Sequence, residues 1–513
     1  MNPSSNKRIL KNTIYLYFRM ILTMVVSLYT SRVILDVLGV SDFGIYNVIG
    51  GIVILISMLN NSMSAATQRF ITYELGKHDA KKVSDTFSMS MTAHLFICFI
   101  VLILGETIGL YYINHFLNIP EGRMTAALWI YQFSLLAVIF NIARIPYSAS
   151  IIAYERMDFY AAISIMEVLL KLAIVVILLY VGSFDKLILY GLLVLITTII
   201  ISLIYKVYCQ IKFKTCNYYW YIDKGYFNKL LNFFGWNFVG GVANTGTKQI
   251  GNLIINAFCG TIANAAHGVG AQVNGAVCGF AENFQMAYTP QIVKLYSQDK
   301  KEDLFQLMNR SALLSYYLLF ILAMPLILNI DLVLGIWLKK VPLYAGLFCQ
   351  WLIIYNLIDS LQAPMWKAIT ATGNIKVYEI WLNLFLMLNI PLSYYCLKMG
   401  MPPYTVVIVS VLINFLTAII RTFHVKIQIG FPIFNYLVDV IYRSVLVSTI
   451  YLSLWFLLHP FIQINSLFSF VLFFIGSCLC CISLIYVLGI NTQDKQLVKQ
   501  LVFNKFKKYS AHI

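Results

Sequence analysis

Residues 144–179 read RIPYSASIIAYERMDFYAAISIMEVLLKLAIVVILL. A polar turn carrying Glu155 and Arg156 gives way to a run, 159 to 181, whose only charges are Glu167 and Lys171. A helix rises about 1.5 Å per residue, so about 20 apolar residues cross a hydrocarbon layer about 30 Å thick. The run therefore has the length of a membrane-spanning helix. Its two charges lie four apart on one helical face and can neutralise each other, which makes them structural. Arg144, Glu155 and Arg156 flank a connection bent at Pro146, a position that suits a gate or an anchor at the inward face.

The same template recurs in both directions. Spans are expected near 11–35, 43–67, 86–110, 125–149, 159–181, 186–208, 233–257, 262–288, 305–330, 344–370, 376–398, 403–425, 434–459 and 466–489, fourteen in all. Of 513 residues, 60% are hydrophobic and 11% charged, where a soluble domain has about 25% charged. The membrane is the organising solvent. A formal charge of +16 would suggest nucleic acid in a soluble protein, but here the Lys and Arg gather in alternate connections. Arg32, Arg123, Lys186, Lys339, Lys340 and Lys398 fall on the opposite face. This bias places both termini in the cytoplasm, and no basic aromatic groove points to nucleic acid.

An internal repeat is expected as well. A shift of 220 residues lays SRVILDVLGVSDFGIYNVIGGIV, from Ser31, over GNLIINAFCGTIANAAHGVGAQV, from Gly251. A shift of 223 pairs Gln68 with Gln291, Tyr73 with Tyr296 and Lys77 with Lys300. Six spans separate the copies, an even number, so the halves enter the membrane in the same orientation. The expected fold is all-α and integral to the membrane, with two six-helix bundles related by a parallel pseudo-two-fold axis and two extra C-terminal helices. Its divisions are an N-terminal bundle (1–210), a linker (211–232), a second bundle (233–425), the additional pair (426–490) and a basic tail (491–513).

Polar side chains facing lipid are costly, so those within spans mark interhelical packing or a watery cavity. The first span carries Arg19, Thr23, Ser27 and Thr30 on one face; the second carries Asn47, Asn61 and Gln68. The seventh carries Asn237, Thr245, Lys248, Asn252 and Asn256, and the eighth His267, Asn274 and Glu282. These spans correspond under the repeat, which favours a central hydrated cavity. Lys248 has no acidic residue one turn away; it faces that cavity or snorkels to the outer interface. Arg19 and Arg32 are interfacial anchors or cavity cations. Glu282 lies in an apolar stretch that would favour its neutral form; it couples transport to an ion or serves as a hydrogen-bonded acid, with Asp36 and Asp359 the next candidates for coupling.

No phosphate-binding glycine loop, zinc-peptidase motif or nucleophile elbow is present, and no cofactor or metal is expected. The ten cysteines have neither metal-ligand nor disulfide spacing and read as packing residues.

SRVILDVLGVSDFGIYNVIGGIV, QRFITYELGKHD after the second span, and the stretch 144–179 together resemble the polysaccharide flippases of the multidrug, oligosaccharidyl-lipid and polysaccharide exporter superfamily. The resemblance implies a transporter rather than an enzyme, in the bacterial cytoplasmic membrane, working beside polysaccharide-assembly proteins. It implies a V-shaped cavity lined by the first, second, seventh and eighth spans. The implied cargo is an undecaprenyl-pyrophosphate oligosaccharide, turned to the outer leaflet by alternating access with a proton or sodium counter-ion. Arg19, Arg32 and Lys248 are suitable types for the diphosphate, and Asn61, Asn237, Asn252, His267 and Asn274 for sugar hydroxyls. The C-terminal pair is similar to helices that offer a lipid-tail groove. A multidrug exporter of the same superfamily, or a membrane glycosyltransferase or polymerase, are the alternatives.

Overall fold

In hydrocarbon a backbone has no water to bond, so each segment must satisfy its own N–H and C=O groups, and a helix does so. The computed structural model describes residues 3–116, 119, 122–181, 185–338, 341–461, 467–491 and 495, with no strand among them. In chain order the helices are α1 (Pro3–Gly76), α2 (Ala80–Leu104), α3 (Leu110–Phe116), α4 (Met124–Ala153), α5 (Met157–Tyr180), α6 (Lys186–Lys212), α7 (Lys224–Ser297) and α8 (Lys301–Leu328). They continue with α9 (Ile330–Trp337), α10 (Ala345–Thr372), α11 (Lys376–Met387), α12 (Asn389–Lys398), α13 (Thr405–Ile429), α14 (Ile433–Tyr436), α15 (Arg443–Leu458) and α16 (Leu467–Leu484).

Among the described residues, ten helical stretches are long and apolar enough to cross a membrane. The expected spans 233–257, 262–288 and 344–370 are helical but not among the ten. Two of them hold the Asn-rich stripes, and the third carries Asn356, Asp359 and Gln362, which lower its hydropathy. Most side chains of the expected span 43–67 lie outside the described residues.

Two pairs of expected spans are joined into single 74-residue helices, α1 and α7. A straight helix of that length would reach about 110 Å. Neither is straight. Arg8, near the start of α1, bonds Glu155, which also bonds Lys294, and Gly76 at the end of α1 packs against the backbone of Lys294. Both ends of α1 thus reach one place, and the chain doubles back between them. In α7, Tyr226 donates to Glu74 while Gln298, just past its end, donates to the Gly76 carbonyl. The reversal lies at Gly260, whose φ of 75° and ψ of −174° are open to glycine alone.

The chain divides into two compact units that cut across chain order. Met1–Gly246, Met286–Leu304 and Lys367–Asn383 form the first; Thr247–Gln285, Phe305–Trp366 and Leu384–Ile513 form the second. Ile130, Ile142, Leu178 and Leu187 centre one core of the first unit, and Ile71, Phe87, Ile151 and Ile201 another. In the second unit Ile255, Ala266, Leu334 and Phe348 are fully buried together. The outside is apolar too: Phe96, Phe99 and Ile103 on α2, and Leu169, Val176 and Leu179 on α5, are exposed. A surface so rich in large hydrophobic groups suits lipid, not water.

Helix junctions follow a common recipe. Asp79, Asp185 and Asp223 cap α2, α6 and α7, each accepting from backbone amides of the first turn. Left-handed residues mark several other junctions. His78 and Asp299 lie 221 residues apart, Gly122 and Tyr344 222, and Glu155 and Gly373 218. Pro146 in α4 and Pro364 in α10 also lie 218 apart.

Candidate functional site

The turn from α4 to α5 puts Glu155 at φ 59°, with Arg156 N–H closing a six-residue loop onto the Ile151 carbonyl at 3.0 Å. This geometry turns the Glu155 carboxylate, whose side chain is 0% exposed, toward three donors. Arg8 Nε of α1 lies 3.0 Å from Oε2, Gln291 Nε2 of α7 donates to Oε2 at 2.6 Å, and Lys294 of α7 bonds Oε1. One buried anion thus ties α1, the α4–α5 turn and the end of α7 together. Alongside it, Arg69 of α1 donates from Nε and Nη2 to the Ala371 carbonyl of α10, at 3.2 and 2.8 Å. The rings of Tyr73 and Tyr296 meet at 6.4 Å. These contacts clasp one end of the first unit, the end bearing the basic connections at 77–82 and 212–229.

At the other end of that unit the polarity is reversed. Arg123, at the start of α4, lies between Asp42 of α1 and Asp185, the cap of α6. Its Nε donates to Asp42 at 2.9 Å. Burial disfavours the charge of Asp185, but Arg123 and the amides of Ile188 and Leu187 outweigh this and hold its carboxyl below the usual range.

The polar stripes make specific contacts. In the first unit, Asn237 Nδ2 donates to the Ser62 carbonyl at 3.2 Å, and Gly241 lies against the Ser62 hydroxyl. Arg19 lies over the Tyr160 ring at 5.0 Å and reaches Ser164 at 3.5 Å, so it packs on α5. In the second unit, Asn274 accepts from Asn356 of α10 at 2.7 Å, and His267 meets the Phe348 ring edge-on at 5.3 Å. Asn252 Oδ1 is buried without a hydrogen-bond partner among the described residues. Asp359 lies 3.7 Å from the buried Arg421 of α13.

No protein-family model and no curated protein matches the sequence. Solved structures do. An outward-facing multidrug resistance transporter of the MATE family, in the MOP superfamily, aligns with a TM-score of 0.69 at 12% identity, covering 83% of this chain and 96% of that one. This chain has the fold of a MATE transporter. A MATE protein in its straight conformation aligns at 0.72, with 12% identity over 83% and 96% of the two chains. A MOP transporter from Pyrococcus furiosus, described as having a binding pocket of reversed polarity that suggests a different function, aligns at 0.67, with 12% identity over 82% and 96%. These neighbours match almost to their full length, while part of this chain extends beyond them.

Within that MATE-like fold, the expected site residues have these surroundings. Glu282 is exposed, whereas an apolar stretch was expected to shield it. The buried positions beside it are Ala281 and Asn283, so the helix turns Glu282 away from the packed side. Asp359, expected as a further candidate for coupling, has a cationic partner in Arg421. Arg19 and Asn274 are engaged in helix packing. The side chains of Arg32, Asp36, Asn61 and Lys248 lie outside the described residues. Glu167 pairs with Lys171 as expected, at 3.0 Å, and lies 3.7 Å from Arg144 as well.

Sequence reading passed over Arg69, the Arg123 clamp and Glu379. The last is buried on α11 so close to Gly240 of α7 that a Cβ there would fall 2.2 Å from its Oε2. Arg69 stood in the stretch QRFITYELGKHD, but a charge at a span's end looks interfacial until its partner is seen. In the C-terminal pair, Tyr451, Leu454, Trp455, Leu472, Phe473 and Gly476 line an apolar groove of about 380 Å³ between α15 and α16.

Proposed function

We propose that this protein is a flippase that carries an undecaprenyl-pyrophosphate-linked oligosaccharide from the cytoplasmic to the outer leaflet of a bacterial cytoplasmic membrane by alternating access. The observation that carries this reading beyond the shared fold is the apolar groove of α15 and α16, helices of the C-terminal pair. A polyisoprenoid tail has to stay in an apolar medium while its headgroup crosses, and a groove lined by Leu454, Trp455, Leu472 and Phe473 suits such a chain. A small soluble drug has no such need.

The headgroup sets the other requirements. A diphosphate entering a low-dielectric cavity needs cations, a role for Arg19, Arg32 and Lys248. Sugar hydroxyls need amides, a role for Asn61, Asn237, Asn252, Asn274 and His267, with the unpartnered Asn252 Oδ1 able to accept from a hydroxyl. For proton or sodium coupling, Glu282, which is exposed, stands ahead of Asp36 and Asp359. Junction residues 218 to 222 apart, and α1 and α7 each doubling back, support a duplicated fourteen-span design with both termini on the cytoplasmic side.

The test is reconstitution into liposomes holding a fluorescent undecaprenyl-pyrophosphate disaccharide, with a membrane-impermeant quencher reporting which leaflet holds the label. Protein-dependent loss of protected label, faster under an ion gradient, is expected. The neighbours' fold favours multidrug export as the second reading. Gradient-driven ethidium efflux with no movement of the lipid would establish that alternative.

A further inference from the structure

The basic end of the first unit holds a pocket of about 630 Å³, inside the roughly 300–1,000 Å³ range of small-molecule sites. Its wall is built from the ends of α1, α2 and α10 and from the segment leading into α7. Arg69, Glu74, Phe70, Tyr73, Tyr221 and Tyr226 line it.

Two of these groups are deeply buried, and one of them, Glu74, is incompletely bonded among the described residues. Arg69 is 9% exposed, and its Nε and Nη2 both serve the Ala371 carbonyl. Its guanidinium lies over the Phe70, Tyr73 and Phe233 rings at 4.5, 4.9 and 5.8 Å, and Nη1 makes no hydrogen bond among the described residues. Glu74 is 4% exposed; its Oε1 accepts from the Tyr226 hydroxyl at 3.0 Å, while its Oε2 is buried with no donor among the described residues. Leaving such a group unbonded costs on the order of 1–3 kcal/mol, more for a charge, so a ligand that supplies the missing bond gains correspondingly. Gly373 holds this arrangement open: at φ 79° a Cβ would stand 2.6 Å from Arg69 Nη2.

The rim narrows the chemistry. Arg69, Lys77, Lys82 and Lys229 are opposed by Glu74, Asp85 and Asp223, so the cations and anions nearly balance. Most rim charges are already engaged. Lys82 lies 3.5 Å from Asp79, Lys77 sits 4.6 Å from the Tyr73 ring centre, Tyr219 donates to Asp85, and Asp223 caps α7. A diphosphate would meet little net positive charge. A neutral ligand offering hydroxyl donors and acceptors together, with a flat face for the exposed Tyr221 ring, matches what remains. That is the chemistry of a sugar ring, whose adjacent hydroxyls donate to a carboxylate and accept from a guanidinium while its C–H faces lie on aromatic rings.

We infer that this pocket binds a monosaccharide or disaccharide unit, with Glu74 and Arg69 reading two of its hydroxyls. Binding stands on the pocket alone. That the pocket receives the sugar of the cargo before translocation rests on the flippase reading.

The test uses the full chain in lipid nanodiscs and saturation-transfer NMR with free glucose, galactose and N-acetylglucosamine, and inorganic pyrophosphate as competitor. At least one sugar should receive saturation and keep it in excess pyrophosphate. Glu74→Gln removes one charge-assisted acceptor and should weaken that signal about tenfold. Tyr221→Ala, at an exposed position, should weaken it without touching the core. Absence of signal from all three sugars, displacement by pyrophosphate, or an unchanged signal in both variants would overturn the inference. Sugar binding with no lipid movement in liposomes would leave the pocket standing and sink the flippase reading; lipid movement with no sugar binding would do the reverse.

Discussion

The two ends of the first unit are each fastened by one charged residue, and they are fastened differently. On the basic side the buried anion Glu155 gathers Arg8, Gln291 and Lys294, residues more than a hundred positions away from it in the chain. On the other side the cation Arg123, 28% exposed, holds Asp42 and Asp185 within the N-terminal stretch. Burial decides what each is worth. A fully desolvated carboxylate depends wholly on its protein donors, whereas a partly exposed cation is also served by water. The first device therefore governs whether distant segments stay together, and the second acts as a local staple. The alternating access proposed above requires one end that can let go, and a clasp made of few strong bonds between remote segments suits that task better than a diffuse apolar contact.

The comparison can be broken experimentally. The largest expected effect is from Glu155→Ala, which removes three bonds at once and leaves Lys294, only 20% exposed, without its carboxylate. A loss of about 3–5 kcal/mol at this end is expected, read as a lower melting temperature and faster proteolysis after Lys300. Glu155→Gln, which keeps two acceptor–donor contacts, should lose about half as much. If both variants melt like the parent, the clasp is not a fastening.

Next comes Gly373→Ala. The left-handed φ and the contact with Arg69 should cost about 1–3 kcal/mol and release the Arg69 bond to Ala371. A variant as stable as the parent would mean that the α10–α11 turn yields freely.

Arg123→Ala should cost less, about 1–2 kcal/mol, and it sharpens the contrast through pH. The Asp185 carboxyl is held below its ordinary range in the folded protein, so its contribution is complete above about pH 4 and is lost as pH falls through the folded value. The parent should therefore lose stability on acidification below that point, and the Arg123→Ala protein should lose less. Parallel acid melting curves for the two would remove the clamp from the account.

The smallest effect belongs to Asp158→Asn. Arg156 and Asp158 pair at 3.0 Å, but their side chains are 42% and 38% exposed. A change of under about 0.5 kcal/mol is expected by thermal melting, because such pairs are solvated and screened. A loss as large as that of Glu155→Ala would show that exposure does not rank these bonds.

Much of the fold is legible in the sequence because hydrocarbon imposes a local rule: about 20 apolar residues in a row must be helical and must span, wherever they pack. The stretches 86–110, 125–149, 159–181 and 186–208 follow it, and each matches a helix found at that place. The Glu167–Lys171 pair was equally local, four residues apart on one helix. The polar stripes were readable as stripes. What each side chain meets was not, because that depends on which helix comes to lie beside it. Asn274 finds Asn356, 82 residues on; Asp359 finds Arg421; and Glu282 turns out to an exposed side that hydropathy cannot distinguish from a shielded one. The clasp at Glu155 and the Arg69–Glu74 pocket lay furthest from view. The sequence alone determined which segments could enter the membrane, since that is settled by transfer from water one helix at a time. The tertiary structure decided which charges would be buried together, because a desolvated carboxylate is tolerable only where folding brings its donors within about 3 Å, and sequence distance carries no information about that.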